Sequence, residues 1–202
     1  MKNVALILAI VTLFPIASCK EKDGVDPVIL TLTDDEKTDL LYLREEEKLA
    51  RDVYLFSSAK YGTQIFANIS WSEQKYMDEV LTLLIKYGIS DPASKDTGVF
   101  NDAVLQQLYV DLTLKSEKSL ADALEVGATI EDLDIRDIKV NIGRTTKSDL
   151  VDVYDKLQCG SRNHMRAYYN QLKNEGITYE PKYLSQDELD AILEGSHEGC
   201  GN

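Results

Sequence analysis

Three glutamates and one histidine have the residue types and the positions needed to hold a metal ion: Glu47, Glu73, Glu131 and His164. Each falls on the apolar stripe of its own predicted helix. Glu47 shares a three-and-four spacing with Leu40, Leu43, Ala50, Tyr54, Ser57 and Tyr61, the pattern of a helix facing a core. Glu73 lies with Ile69, Tyr76, Met77, Val80, Leu84 and Tyr87; Glu131 with Leu120, Leu124, Gly127, Ile135 and Ile138; His164 with Leu150, Tyr154, Leu157, Ser161, Tyr168 and Leu172. An ionised carboxylate on a buried face costs on the order of several kcal/mol unless it is paired or bound to a cation. Three such carboxylates repel one another at low dielectric, and a divalent or trivalent ion neutralises them. Carboxylate and imidazole donors without thiolate suit iron or manganese, and zinc less specifically. Plainer readings stand beside this one: Glu47 as a stripe-edge residue, Glu73 as the capping partner of Ser70, His164 as a core histidine. Without an ion, the acids need protons or hydrogen bonds, with Tyr76 and Tyr154 as the nearest hydroxyls.

The elements that must position these side chains are all helices. Thr33-Asp34-Asp35-Glu36 has the form of a capping box, and the helix it opens stops at Gly62. Along it Glu45, Glu46, Lys48, Arg51 and Asp52 fall off the stripe and read as a solvated face. A second helix is expected from Ser70 to Gly88 and a loop over 89–101. A short helix is expected near 102–113. A third long helix over about 116–142 carries Gly127 and Thr129, where a kink or break is plausible. A fourth runs from about Thr146 to Gly176, and Ser185-Gln186-Asp187-Glu188 opens a last short one. No strand is predicted. A connection as long as that between the second and third long helices implies a crossover rather than a tight hairpin.

The pattern Glu47-Lys48-Leu49-Ala50-Arg51-Asp52-Val53-Tyr54 resembles the first-helix ligand segment of rubrerythrins and ferritins. More closely, the segment from about Thr31 to Gly195 resembles an uncharacterised bacterial and archaeal ferritin-like family. The segments that carry the likeness are Glu45–Tyr54, Ser72–Met77, Ala123–Ile135, Gly160–His164 and Tyr179–Ser185. The resemblance implies an all-α, ferritin-like antiparallel four-helix bundle, with a long crossover between helices two and three and a short C-terminal helix. In such proteins two helices each give a Glu and the other two each give Glu-x-x-His. Two positions depart from that pattern: Tyr76 stands where a His is expected and Ser161 where a Glu is expected. Asp134, one turn beyond Glu131, could supply an oxygen instead. Glu125 is a rival from the same family segment, though about 100° off the stripe. A phenolate from Tyr76 is a further candidate for a ferric ion. The resemblance implies an iron- or manganese-dependent oxidoreductase acting with oxygen or peroxide. The alternative is a non-enzymatic protein with a degenerate metal site that serves as a protein- or ligand-binding module.

The 202 residues carry 22 basic against 35 acidic side chains, a net charge of -13. Nucleic acid is therefore an unlikely partner class, since phosphate binding requires a basic face. No Walker-type loop or dinucleotide glycine fingerprint is present. Lys2 precedes an apolar run too short for a comfortable membrane span, which ends at Ile16-Ala17-Ser18-Cys19. That ending resembles the bacterial lipobox, so residues 1–18 are read as a lipoprotein signal, Cys19 as the lipid-bearing first residue and 19–32 as a polar tether. The helical bundle is then 33–195 and the tail 196–202. The expected location is the cell envelope, with the membrane as partner through Cys19 and the exposed face unspecified. Cys159 and Cys200 could pair in an oxidising compartment or stay apart. The Gly-rich tail His197-Glu198-Gly199-Cys200 is expected to be disordered.

Overall fold

The Thr33 hydroxyl accepts the Glu36 N–H at 3.1 Å and the Glu36 carboxylate accepts the Thr33 N–H at 2.8 Å. This reciprocal cap opens the first helix. The computed structural model describes residues 31–201; the expected signal segment, Cys19 and most of the expected tether lie outside the described residues. Within them the chain is all-helical, with six helices and no strand: α1 (Asp34–Tyr61), α2 (Gln64–Lys86), α3 (Ala103–Ser116), α4 (Leu120–Arg144), α5 (Ser148–Asn174) and α6 (Gln186–Glu194). No helix among the described residues is long and apolar enough to cross a membrane.

Three expectations about these elements are corrected. The second helix begins at Gln64, not at Ser70, after a turn of only Gly62 and Thr63 with Gly62 left-handed at φ 63°. Phe66 and Ile69 carry its apolar stripe back towards the turn. The Ser70 hydroxyl donates to the Ala67 carbonyl at 3.0 Å, so Glu73 has no cap to complete. The long helix α4 runs unbroken through Gly127 and Thr129. Gly127 is there for packing: a methyl on its Cα would overlap the buried Tyr168 ring of α5.

The third correction concerns the supposed solvated face of α1. Glu45, Glu46, Lys48 and Asp52 are all buried. The crossover between α2 and α4, including α3, lies over that face, which single-helix periodicity does not show. Arg44 grips Asp91 with two bonds of 3.0 and 2.8 Å. Lys48 Nζ bonds Asp52 at 2.5 Å and the Asp96 carbonyl at 2.9 Å, over the Phe100 ring. Asp52 accepts the Gly98 N–H, and Glu45 accepts the N–H groups of Asn101 and Asp102. The buried charges thus hold the irregular stretch 91–102 against α1 and satisfy its backbone donors.

The apolar core falls into two clusters. One contains Leu49, Tyr54, Phe66, Leu124, Tyr168 and Leu172. The other contains Leu40, Leu43, Val80, Ile138, Leu150 and Leu157. Along α1 and α5 the second cluster comes first; along α2 and α4 the order is reversed. Helices α1 and α5 therefore run one way and α2 and α4 the other. Between the two clusters lie Glu47 on α1, Glu73 on α2 and Ser161 and His164 on α5, while Glu131 of α4 falls among residues of the first cluster, between Ile130 and Ile135. Helix α1 packs on α2 and α4 on α5, with further contacts of α1 to α4 and α2 to α5.

The C-terminal tail is held rather than disordered. Cys159 of α5 is bonded to Cys200. Glu198 receives hydrogen bonds from Arg162 and Arg166, and Asn163 donates to its carbonyl at 3.0 Å.

Candidate metal centre

Three of the four residues singled out from the sequence, Glu73, Glu131 and His164, come together where the first cluster meets the second. Ligand atoms of Glu73, Glu131 and His164 lie within 4.8 Å of one another, and all three side chains are buried. His164 Nδ1 is 2.8 Å from Glu73 Oε1 and 3.5 Å from Glu131 Oε2. The shorter contact is close but off the axis of the ring N–H, so neither Nδ1 nor Glu73 Oε1 has an aligned hydrogen-bond partner. Glu131 Oε1 accepts the Tyr54 hydroxyl at 2.6 Å, whereas Oε2 has no donor. Both oxygens of Glu47 are buried without a donor, and the carboxylate beside it is that of Glu73.

The electrostatics follow from this crowding. Burial raises the Glu47 carboxyl well above its ordinary range, and the Glu73 charge raises it further. Burial raises Glu131 as well, His164 opposes, and the carboxyl settles at about 7. Burial alone would lower the His164 imidazole, yet Glu73 and Glu131 hold it up at about 10. In the ion-free protein His164 therefore serves as the counter-cation. A metal ion can replace that proton, because Nδ1 already faces the carboxylates. On the far side of the ring Nε2 lies 3.1 Å from the Ser72 hydroxyl, a partner that fixes the ring's orientation. His164 also forms the inner wall of an open hollow lined by Ala67, Asn68, Ile69, Trp71 and Ser72. Trp71, the chain's single tryptophan, stands at its rim 65% exposed.

The other candidates fall out differently. Asp134 is buried with both oxygens unpartnered, and burial followed by the charges of Glu46 and Glu47 raises its carboxyl strongly. Glu125 does not converge: it lies partly exposed and bonds Lys115 at 2.7 Å and Lys182 at 3.2 Å, away from the stripe as its 100° offset implies. Tyr76 sets its hydroxyl against Gly160 of α5, where any side chain would collide with it. Ser161 donates to the Leu157 carbonyl at 3.2 Å. Tyr154 belongs to the second apolar cluster, with Asp39 and Glu36 as its nearest charges; Tyr54, not Tyr154, is the hydroxyl that reaches the acids. Sequence reasoning also missed Glu46 and Ser72. Glu46 faces Asp137 and Arg136 of α4, which periodicity along α1 does not show, while the α2 register, at one residue before Glu73, offered a signal for Ser72.

Residues 36–196 match the family model described as "Uncharacterized protein domain (DUF2202)". The chain belongs to that family. This DUF2202 chain is 49% identical over 168 residues to "Uncharacterized protein MJ0754" of Methanocaldococcus jannaschii, covering 83% of this chain and 91% of the relative. It is also similar to the crystal structure of hypothetical protein MJ0754 from Methanococcus jannaschii, with a TM-score of 0.82 and 48% identity. That match covers 84% of this chain and 97% of the archaeal one. The DUF2202 segment spans all six helices up to Ser196 and so includes every residue of the candidate centre.

Proposed function

We propose that this protein is a ferritin-like metalloprotein whose four long helices, α1, α2, α4 and α5, form a bundle around an iron or manganese ion. Glu73, Glu131 and His164 would hold the ion, with Glu47 as the fourth protein ligand. The observation that carries this reading is the convergence of ligand atoms of Glu73, Glu131 and His164, from three helices, within 4.8 Å of one another, beside a buried Glu47 carboxylate with no hydrogen-bond donor. Buried polar atoms are ordinarily satisfied, and those left over in one place mark a missing partner. Oxygen and nitrogen donors without thiolate fit iron or manganese. The ion would supply redox chemistry with oxygen or peroxide. The protein's own residues bind and orient: Tyr54 pins Glu131, Ser72 fixes the His164 ring, and the two apolar clusters exclude water from either side. The hollow beside Trp71, which His164 lines, would be the route for a small reactant.

Metal analysis of protein purified without chelator tests the reading. Iron or manganese at about one ion or more per chain, lost in His164→Ala, is the expected result. Trp71 fluorescence should change on loading, because Trp71 and His164 line the same hollow. The crowding of Tyr76 against Gly160 and the inward bond of Ser161 favour a second reading, a binding module with an altered site. Absence of bound metal after aerobic and anaerobic loading selects it. We further propose that Cys19 carries lipid and anchors the protein in the cell envelope. Mass spectrometry of the mature chain, finding either a diacylated Cys19 or an unmodified one, decides that point.

A further inference from the structure

The tail beyond α6 lies on α5 as a bound peptide would. None of residues 196–201 belongs to either apolar cluster, so polar contacts and the Cys159–Cys200 bridge hold it there. Asn163 takes the Glu198 backbone in both directions: its Nδ2 donates to the Glu198 carbonyl at 3.0 Å, and its Oδ1 accepts the Glu198 N–H at 2.9 Å. Two arginines one helical turn apart converge on the Glu198 side chain. Arg162 spans both carboxylate oxygens, Nε to Oε1 at 2.9 Å and Nη2 to Oε2, and Arg166 Nη2 reaches Oε1 at 2.7 Å. The planar fork of Arg162 matches a carboxylate in geometry as well as charge. Arg166 also donates to Asn163 Oδ1 and to the Ile192 carbonyl, each at 2.8 Å. That pair of bonds fixes the Asn163 amide and ties the arginine to the end of α6.

We propose that this face of α5 is a docking site for an extended acidic segment of a partner protein, occupied here by the chain's own tail and opened when a dithiol reduces the Cys159–Cys200 bridge. Nothing in the grip on Glu198 depends on its belonging to this chain: Asn163 recognises an extended backbone, and the two arginines recognise a carboxylate. Charge complementarity therefore selects an acidic peptide. The bridge closes two residues beyond Glu198 and one turn before Arg162, so it clamps the tail at the point of recognition. On reduction the dithiol becomes a disulfide, and Cys159 and Cys200 each take up a proton as thiols. The freed tail remains tethered, at an effective concentration on the order of millimolar. A partner must therefore bind more strongly than the tail does. The hollow between α5 and α6 offers the further contacts, since Arg166 and Asn163 line it together with Tyr169, Asn170 and Lys173. Gly195 and His197 of the tail line it too, so release of the tail opens it wider. The inference is independent of the metal centre.

Fluorescence anisotropy tests it, with a labelled peptide of residues 194–202 carrying Cys200→Ser as the probe and the full chain as the receptor. Oxidised wild type should not bind the probe, and wild type reduced with dithiothreitol should bind it weakly. The reduced Glu198→Gln chain, whose internal competitor has lost its charge, should bind about 10-fold more tightly or better. A Cys200→Ser chain without reductant should match reduced wild type, which assigns the effect to the bridge. A probe that also carries Glu198→Gln should not bind, and Arg162→Gln in the receptor should abolish binding while urea unfolding shows the bundle intact. No binding to the folded, reduced Glu198→Gln chain overturns the proposal. Equal binding to oxidised and reduced protein, or binding that survives Arg162→Gln, overturns it as well, because the probe then sits elsewhere.

Discussion

Glu131 and Asp132 are neighbours on α4, both fully buried, and the fold treats them in opposite ways. Asp132 accepts the Tyr179 hydroxyl at 2.8 Å and the backbone N–H groups of Lys182, Tyr183 and Leu184 at 2.5, 3.1 and 2.8 Å. It gathers the segment between α5 and α6 onto α4. Glu131 receives one hydroxyl on Oε1 and otherwise faces His164 and Glu73, with no donor to Oε2. The same division runs through α1, where Glu45 and Asp52 are fully engaged while Glu46 and Glu47 have no donor. This chain can therefore satisfy a buried carboxylate with ordinary donors, and it does so wherever the role is to hold a loop. The unsatisfied acids occur on the inward faces of α1, α2 and α4. Such a pattern is expected of a site completed from outside the chain rather than of loose packing.

The largest expected effect comes from deleting a satisfied acid. Asp132→Ala leaves a hydroxyl and three backbone N–H groups without their acceptor, and should cost about 4 kcal/mol in urea unfolding. A cost below about 1 kcal/mol would break the distinction between the two kinds of acid. Next comes Gly127→Ala. The added methyl overlaps the Tyr168 ring, which is buried and has no free space to enter. Overpacking of this kind costs about 2–3 kcal/mol, and the ring's displacement should also disturb Tyr54, which packs on Tyr168 at 5.4 Å between ring centres. Unchanged stability would mean that α4 and α5 are free to separate.

These two positions also mark how far the sequence could be read. Glu47, Glu73, Glu131 and His164 lie on apolar stripes, and stripe membership alone brings them to one layer, because helices bury those faces together. Periodicity along one helix describes the face it turns to its main partners. It says nothing of a second cover, so Lys48, Asp52 and Glu45 read as solvated although the 91–102 segment lies over them. The α2 start was misread because Ser70 and Glu73 have the spacing of a cap, while Thr63, the residue at the true start, makes no side-chain cap bond. Gly127 looked like a weak point by helix propensity. Its purpose depends on Tyr168, which is 41 residues away on another helix and leaves no local trace.

Removing an unsatisfied acid should act in the opposite direction from Asp132→Ala, and more weakly. Glu47→Gln keeps the side-chain volume and replaces a carboxyl whose ionisation burial and Glu73 oppose. The ion-free protein should gain about 1 kcal/mol or more, while affinity for Mn²⁺ or Fe²⁺ falls by about 10-fold or more. Calorimetric melting with and without added ion reads both quantities on one sample. Destabilisation of the ion-free form would show that Glu47 has a structural partner after all.

The smallest expected effect is that of Glu198, within a dependence on pH that separates the two kinds of acid without mutation. Glu198 is the surface counterpart of Asp132: hydrogen bonds from Arg162 first, and from Arg166, hold its carboxyl down at about 2. Its contribution is therefore complete above its ordinary value of 4.5 and is lost as pH falls towards 2. Because its side chain is partly open to solvent and the disulfide already holds the tail, the loss should be small and reduced by salt. Glu131 does the reverse. Its folded carboxyl titrates at about 7 against an ordinary 4.5, so the folded state holds the proton longer and stability falls as pH rises through that window. His164, raised from 6.5 to about 10, stabilises the fold fully below 6.5, and that contribution is lost as pH rises through 10. The ion-free protein should consequently be most stable near pH 4.5 and weaken steadily above it. A bound cation takes over the role of both protons, so the decline above pH 4.5 should flatten in the loaded protein. Parallel melting curves from pH 3 to 10, with and without Mn²⁺, measure the difference. If the loaded and ion-free curves coincide, the unsatisfied acids are not completed by a cation.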